Sequence, residues 1–380
     1  MKITVQSSKV VKPIYGGSSL PTTTTNAIPL GVFDKVTYDT HVSGIYYFHP
    51  PSPPNNTILE TGLAKAMAIH REWAGRLGTD ADGNRAILLN DAGARFVEAT
   101  ANVALSSIAP LDPSPELLRL CPSGDGTKEL MLVQVTRFTC GSFAVGTTAH
   151  HQVADGLGRC SFMITWAKAT RGAGAIDPVP MYDRASIFAP RNPPRIEFEH
   201  RGVKFVKPLA EVGDIDTPDA SEDVVTHAVH FSPEMISKLK SQASAPGARR
   251  PYSSLQCVAA HLWRCITKAH ELERDTQTKL KIAVEKEELV PMETLVRCPD
   301  VFVSNLKGIP IYDLDFGTGR PFLFTRSHPP WEGYVFIMPP FCSDGSMDVQ
   351  VGLFSRAMDI FKECCIIASS VIINEKLLQS

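Results

Sequence analysis

Seven consecutive residues, His150-His151-Gln152-Val153-Ala154-Asp155-Gly156, combine the side chains best suited to chemistry in this chain. An imidazole titrates near neutrality, so one held at a strand-to-helix corner can take a proton from an attacking nucleophile, while an aspartate four residues on folds back to fix the backbone. Gly156 permits a tight turn before a helix begins. No serine or cysteine nucleophile is needed where the substrate's own amine or hydroxyl attacks, which separates this arrangement from a triad enzyme. Two other readings stay open: a pair of buried, hydrogen-bonded histidines, and a metal site through His150, His151 and Asp155. Neighbouring residues on a strand point to opposite faces, so only one histidine can face a cavity, which counts against the metal.

The elements that must position this corner are legible on both sides of it. LMLVQVTRF and SFAVGTTAH flank Thr139-Cys140-Gly141 as a hairpin from Leu130 to His150, and Leu157 to Arg171 reads as a helix closed by Gly172. Upstream, Leu59, Leu63, Met67, Trp73 and Leu77 fall near helical spacing up to Gly78, and Asp91-Ala92-Gly93 between apolar runs predicts a second hairpin. MKITVQSSKVVKP alternates like an edge strand. Prolines and charges from Gly172 to Pro208 mark a linker. Beyond it VVTHAVHF reads as a strand, Ser232-Pro233 starts one helix, and Ser253 or Ser254 caps another carrying LQCVAAHLWRCITKA. Alternating strands and helices without a dinucleotide glycine fingerprint predict mixed α/β layers.

At 380 residues with 43% hydrophobic and 21% charged content, the chain exceeds one ordinary core and predicts two packed domains. Thirty-eight basic residues against forty acidic ones, a formal charge of -2, lack the electrostatic footprint of nucleic-acid or anionic-membrane binding and point to a small-molecule partner. The nine cysteines contain no C-x-x-C pair and read as buried thiols in a reducing compartment. With no secretory apolar region and no run near the ~20 residues that span a bilayer, a soluble, cytoplasmic monomer is expected.

His151 to Gly156, taken with Asp315-Phe316-Gly317-Thr318-Gly319, resembles the plant BAHD acyltransferases, which move acyl groups from coenzyme A thioesters to alcohols or amines. The first motif alone is also similar to chloramphenicol acetyltransferases and peptide-synthetase condensation domains; the second selects BAHD. PLGVFDKVTYDTHVSGIYYF, LAKAMAIHREWAGRLG, ILLNDAGARFVEA, SSLQCVAAHLWRC and DGSMDVQVGLFSRAMDIFK resemble the grass hydroxycinnamoyltransferases that acylate amines. The resemblance implies two chloramphenicol-acetyltransferase-like α/β domains with mixed sheets and a solvent channel between them. His151 would lie midway along it as general base, with a coenzyme A thioester as co-substrate, no bound cofactor or metal, and an acceptor of the agmatine, putrescine, tyramine or tryptamine type. Asp155, Gly156, Asp315, Phe316, Gly317 and Gly319 carry over as structural residues, with Asp155 turned from the substrate and paired to an arginine. Thr318 stands where most of the family has tryptophan.

For the ligands, Arg249-Arg250 just before the Ser253/Ser254 helix start make either a site for a coenzyme A phosphate or a solvated basic loop. Glu332, Asp344 and Asp348 are candidate carboxylates for a cationic acceptor or ordinary surface acids. Two departures from the family stand out. After Val284, where relatives continue for several tens of residues that include the arginine partner of Asp155, this chain runs directly into EKEELV, and that loss leaves Asp155 buried without its partner and the second domain incomplete. After Cys365, IIASSVIINEKLLQS has no recognised counterpart. The expected organisation is an acyltransferase domain over 1–175, a linker over 176–215, a truncated second domain over 216–365 and an atypical tail over 366–380. The alternative to an active enzyme is a non-catalytic remnant that retains ligand binding or an interaction role.

Overall fold

The computed structural model describes residues 1–16, 26–37, 39–108, 111, 114, 116–173, 184, 193, 195, 223–244, 251–282, 298–326, 331–339 and 344–365. In chain order the strands are β1 (Ile3–Val11), β2 (Ala27–Pro29), β3 (His41–Phe48), β4 (Arg76–Thr79), β5 (Arg85–Leu88), β6 (Ala94–Ala101), β7 (Met131–Arg137), β8 (Phe143–His150), β9 (Val224–Phe231), β10 (Leu280–Ile282), β11 (Val301–Asn305), β12 (Leu323–Arg326), β13 (Tyr334–Met338) and β14 (Met347–Phe354). The helices are α1 (Val32–Val36), α2 (Asn56–Ile69), α3 (Gly156–Thr170), α4 (Pro233–Ala243), α5 (Ser254–Ala269) and α6 (Ser355–Cys365).

The expected hairpin forms: β7 and β8 pair antiparallel from Arg137 opposite Phe143 to Met131 opposite Ala149, and Gly141 supplies the positive φ, 85°, that the turn needs. Both strands lie inside a six-stranded mixed sheet ordered β1-β6-β7-β8-β3-β12, so β8 is buried along its whole length, its two threonines and His150 included. Helices α2 and α3 cover one face with Leu59, Leu63, Met67, Phe162 and Trp166. They touch at Gly62, where a Cβ would stand 2.2 Å from Thr170 Oγ1, and Trp166 Nε1 donates to the Leu59 carbonyl at 2.8 Å. Ile45, Tyr47, Leu117, Leu120 and Phe322 pack on the other face.

A second, five-stranded sheet runs β10-β11-β13-β14-β9, parallel through β13 and antiparallel beyond it. Helices α4, α5 and α6 close it with a core that includes Leu239, Leu262, Ile266 and Phe361. The start signals read from sequence hold. Ser232 caps α4 with Pro233 at its first position, and Ser253 with Gln256 forms a reciprocal capping box on α5. Late in the chain, β12 leaves this half and pairs with β3, placing Phe324 and Phe316 in the core of the first sheet.

Three expectations are corrected. Asp91-Ala92-Gly93 does not join a hairpin: β5 belongs to a small sheet with β2 and β4, whereas β6 pairs with β1 and β7. Asp91 (φ 51°) and Gly93 (φ 92°) turn the chain from one sheet to the other, and a Cβ at Gly93 would meet the Val11 carbonyl at 2.4 Å. The helix through Leu59 does not reach Leu77. It ends at Ile69, because Arg71 is drawn to the Leu89 carbonyl at 2.9 Å and to Asp91 at 3.3 Å, the chain tightens into a 3-10 turn, and Leu77 enters β4. Cys140, on the hairpin turn, is exposed rather than buried. No helix among the described residues is long and apolar enough to cross a membrane. Most of the linker over 176–215, the residues directly after Val284, Arg249, Arg250 and the tail over 366–380 lie outside the described residues.

Candidate active site

The end of β8 separates the two histidines, as strand geometry requires. His150 is buried on one face, its Nε2 3.5 Å from Asp39 Oδ1 and its ring edge-on to His41 with centroids 4.9 Å apart. His151 turns to the other side and is only partly covered; its Nδ1 lies 2.9 Å from Thr37 Oγ1, and its backbone N–H donates to the Thr40 carbonyl at 2.9 Å. The chain then closes a turn through Val153 N–H to the His150 carbonyl. Burial pushes His151 down to about 4, and the positive charges of Arg326 and Arg159 add to that, with Asp155 opposing. His150 is also pushed down to about 4, by burial and then by His41. Both rings are therefore neutral at pH 7, the state a general base requires.

Asp155 is solvent-exposed, which corrects the expectation of a buried, orphaned carboxylate. The side chain accepts from Gly158 N–H at 2.8 Å as the N-cap of α3. Gly156 gives room to the end of the Ile309 side chain and does not serve to turn the chain. Its φ is not positive, but a Cβ there would stand 2.6 Å from Ile309 Cδ1. Arg184, a described residue within the expected linker, braces the same corner by donating to the Val153 carbonyl at 2.6 Å and to Asp34 at 2.9 Å.

The second motif meets the other end of α3. Asp315 Oδ2 lies 2.8 Å from Arg171 Nη1, at the C-cap position of the helix, and Oδ1 accepts from the N–H groups of Gly317 and Gly319 at 2.7 and 3.1 Å. Burial works against ionisation of this carboxyl, but those N–H groups and the Arg171 charge outweigh it and hold it below the usual range. Gly317 and Gly319, with φ of 100° and 102°, supply the left-handed backbone that wraps the loop around it. Phe316 is fully buried, edge-on to Trp166 at 4.7 Å between centroids.

The candidate ligand residues are scattered. Ser253 spends its hydroxyl on Gln256 N–H at 3.2 Å, and Ser254 opens α5 in the helix layer of the second sheet. Glu332 is buried, bonded to His270 Nε2 and accepting from Phe354 N–H at 3.1 Å, so it is committed to the fold. Asp344 is exposed and holds a turn by accepting from Ser346 N–H and Oγ at 2.9 and 2.6 Å. Asp348 stands opposite His230 across β14 and β9, 2.7 Å from its Nδ1, and its charge reaches Tyr312 in the segment that packs on the first sheet. A cavity of about 860 Å³ lies elsewhere, on the face of β1, β6 and β7 away from α2 and α3, and neither His151 nor Asp155 lines it. Sequence reading missed Thr37, Asp39, Arg159 and Arg326. Thr37 and Asp39 reach the histidines from the loop between α1 and β3, and Arg326 from β12, at separations where no local spacing rule applies; Arg159 acts from the start of α3.

A family model described as the Transferase family matches residues 1–295. The chain is 47% identical over 445 aligned residues to agmatine hydroxycinnamoyltransferase 1 of Oryza sativa subsp. japonica, covering 96% of this chain and 98% of the relative. It is 48% identical over 439 residues to agmatine coumaroyltransferase-1 of Hordeum vulgare, covering 96% and 99%. Both alignments are longer than the 380-residue chain, so these relatives carry internal residues with no counterpart here. Among solved structures the fold is similar to vinorine synthase, with a TM-score of 0.70 at 19% identity over 94% of this chain and 96% of that one. On the strength of a family model spanning more than half of its length and of relatives identical at nearly half of the aligned positions, the chain belongs to the Transferase family, the BAHD acyltransferases.

Proposed function

We propose that this protein transfers a hydroxycinnamoyl or related aromatic acyl group from a coenzyme A thioester to an amine of the agmatine type, acting as a cytoplasmic monomer with His151 as general base. The observation that carries the reading is the neutral, partly accessible imidazole at the motif corner, braced through Nδ1 by Thr37, in a chain nearly half identical to enzymes named for acylating agmatine. With the Nδ1 proton donated to Thr37, the basic lone pair is on Nε2. The amine nitrogen attacks the thioester carbonyl, Nε2 takes its proton, and the tetrahedral oxyanion collapses to an amide as the C–S bond breaks. The imidazolium then returns the proton to the departing thiolate. The Arg159 and Arg326 charges, which add to the effect of burial on His151, favour the oxyanion in the same step.

Alkylammonium groups have pKa values near ~10, so the reactive neutral amine is scarce at pH 7 and the base gains from being neutral already. Asp348 faces the segment that packs on the first sheet, which makes it the proposed partner for the acceptor's distal cation. Arg249 and Arg250 are the proposed contacts for a coenzyme A phosphate, with Ser254 offering a helix-terminal N–H and Ser253 serving the helix.

The test is thiol release from coumaroyl-coenzyme A with agmatine. His151→Ala is expected to lower kcat/KM by ~10²–10⁴-fold, and normal turnover by that variant overturns the assignment. A second reading, a remnant that binds coenzyme A without turning over, is favoured by the alignments that outrun the chain. Thermal stabilisation by coenzyme A, with no thiol released from coumaroyl-coenzyme A in the presence of any of agmatine, putrescine, tyramine or tryptamine, selects it.

A further inference from the structure

Away from the His151 corner, the side chains of His261, Cys265 and Cys365 converge in the helix layer of the second sheet. All three are buried, and their ligand atoms lie within 4.8 Å of one another. His261 and Cys265 are four residues apart on α5 and so share one face, while Cys365 ends α6, which packs on α5 within the same core. Cys265 Sγ is 3.6 Å from His261 Nε2. Tetrahedral zinc with bonds of about 2.3 Å to sulfur and about 2.0 Å to nitrogen has a sulfur–nitrogen edge of ~3.5 Å, so this pair already stands at ligand spacing.

We propose that His261, Cys265 and Cys365 form a binding site for one thiophilic divalent ion, zinc by preference, with water completing the tetrahedron. Two sulfurs and an imidazole select such an ion over magnesium or calcium, which take oxygen ligands. Two thiolates also cancel the ion's double charge, so a loaded site brings no net charge into a core otherwise built of Leu262, Ile266 and Phe361. In the metal-free chain the Cys265 thiol donates to the Cys364 carbonyl at 3.4 Å, which holds it toward α6; zinc would take the place of that proton. Because the ligands come from two helices, the ion would tie the last described helix to the body of the second sheet.

The test uses the full chain, reduced, freed of metal with a chelator and titrated with cobalt(II). The expected result is a thiolate-to-cobalt charge-transfer band with visible bands of tetrahedral intensity, saturating at one ion per chain, bleached by zinc, and accompanied by a higher thermal midpoint. Cys365→Ser removes one of the two thiolates and is expected to roughly halve the charge-transfer band; Cys364→Ser leaves it unchanged. Absence of the band in the reduced wild-type chain overturns the proposal whether or not the variants fold. A Cys265–Cys365 disulfide in peptide maps of fresh protein, with no cobalt uptake after reduction, overturns it in favour of a covalent tie.

Discussion

In the six-stranded sheet, β8 buries all eight of its residues between neighbours that pair along its length, whereas in the five-stranded sheet β10 and β11 pair, among the described residues, at Leu280, Lys281 and Ile282 against Val301, Phe302 and Val303, with those β10 residues only part-buried. The strand that presents the base is locked from both sides. The last described strand before the place where the family resemblance puts the lost residues is only partly covered. The strand that presents the base can therefore hold its geometry independently of the edge of the second sheet, and stability and activity become separable quantities.

The largest expected effect lies in the first region. Phe316→Ala opens a void between Trp166 and Phe48 and is expected to cost about 3–5 kcal/mol in urea unfolding; a loss under 1 kcal/mol breaks the comparison by showing that the first core is no tighter than the second. Acid comes next. His150 and His151 are held at about 4 against an ordinary 6.5, so the unfolded chain binds more protons between those values, and stability present above pH 6.5 is lost as the pH falls toward 4. Replacing both rings by asparagine should flatten the profile. Asp155→Ala removes the cap from α3 and is expected to cost about 1 kcal/mol, while Asp155→Ser retains most of it; equal losses in the two variants would assign the residue to an ion pair instead. The smallest effect belongs to Ile282→Ala on β10, about 0.5–1 kcal/mol because the side chain is already half in water.

What was legible in the sequence was local. Ser232-Pro233, the helix start at Ser253, the turn at Gly141 and the corner at His151 each depend on contacts within a few residues, and each sits where the sequence reading put it. The misreadings came from longer range. Asp91 to Gly93 has hairpin chemistry, yet its flanking strands find partners in different sheets; Trp73 and Leu77 keep helical spacing, yet buried Arg71 bends the chain toward Leu89. Glu332 looked like a free carboxylate because His270 lies 62 residues away. For the same reason Cys265 and Cys365 carried no metal signature: spacing rules see C-x-x-C, and they do not see two helices a hundred residues apart packing side by side.

Helix α3 is capped at its start by Asp155 of the first motif and met at its end by Asp315 of the second, through Arg171. Two signatures separated by 160 positions in the chain are thus the two ends of one rod of fifteen residues, ~22 Å long at 1.5 Å per residue. The exposed pair at the far end adds little stability; it fixes register. Inserting or deleting one residue within α3 would turn its ends by about 100° relative to each other and leave each motif intact in sequence but misaligned in space. The length of that helix is the gauge by which late residues of the chain sense where the base has been set.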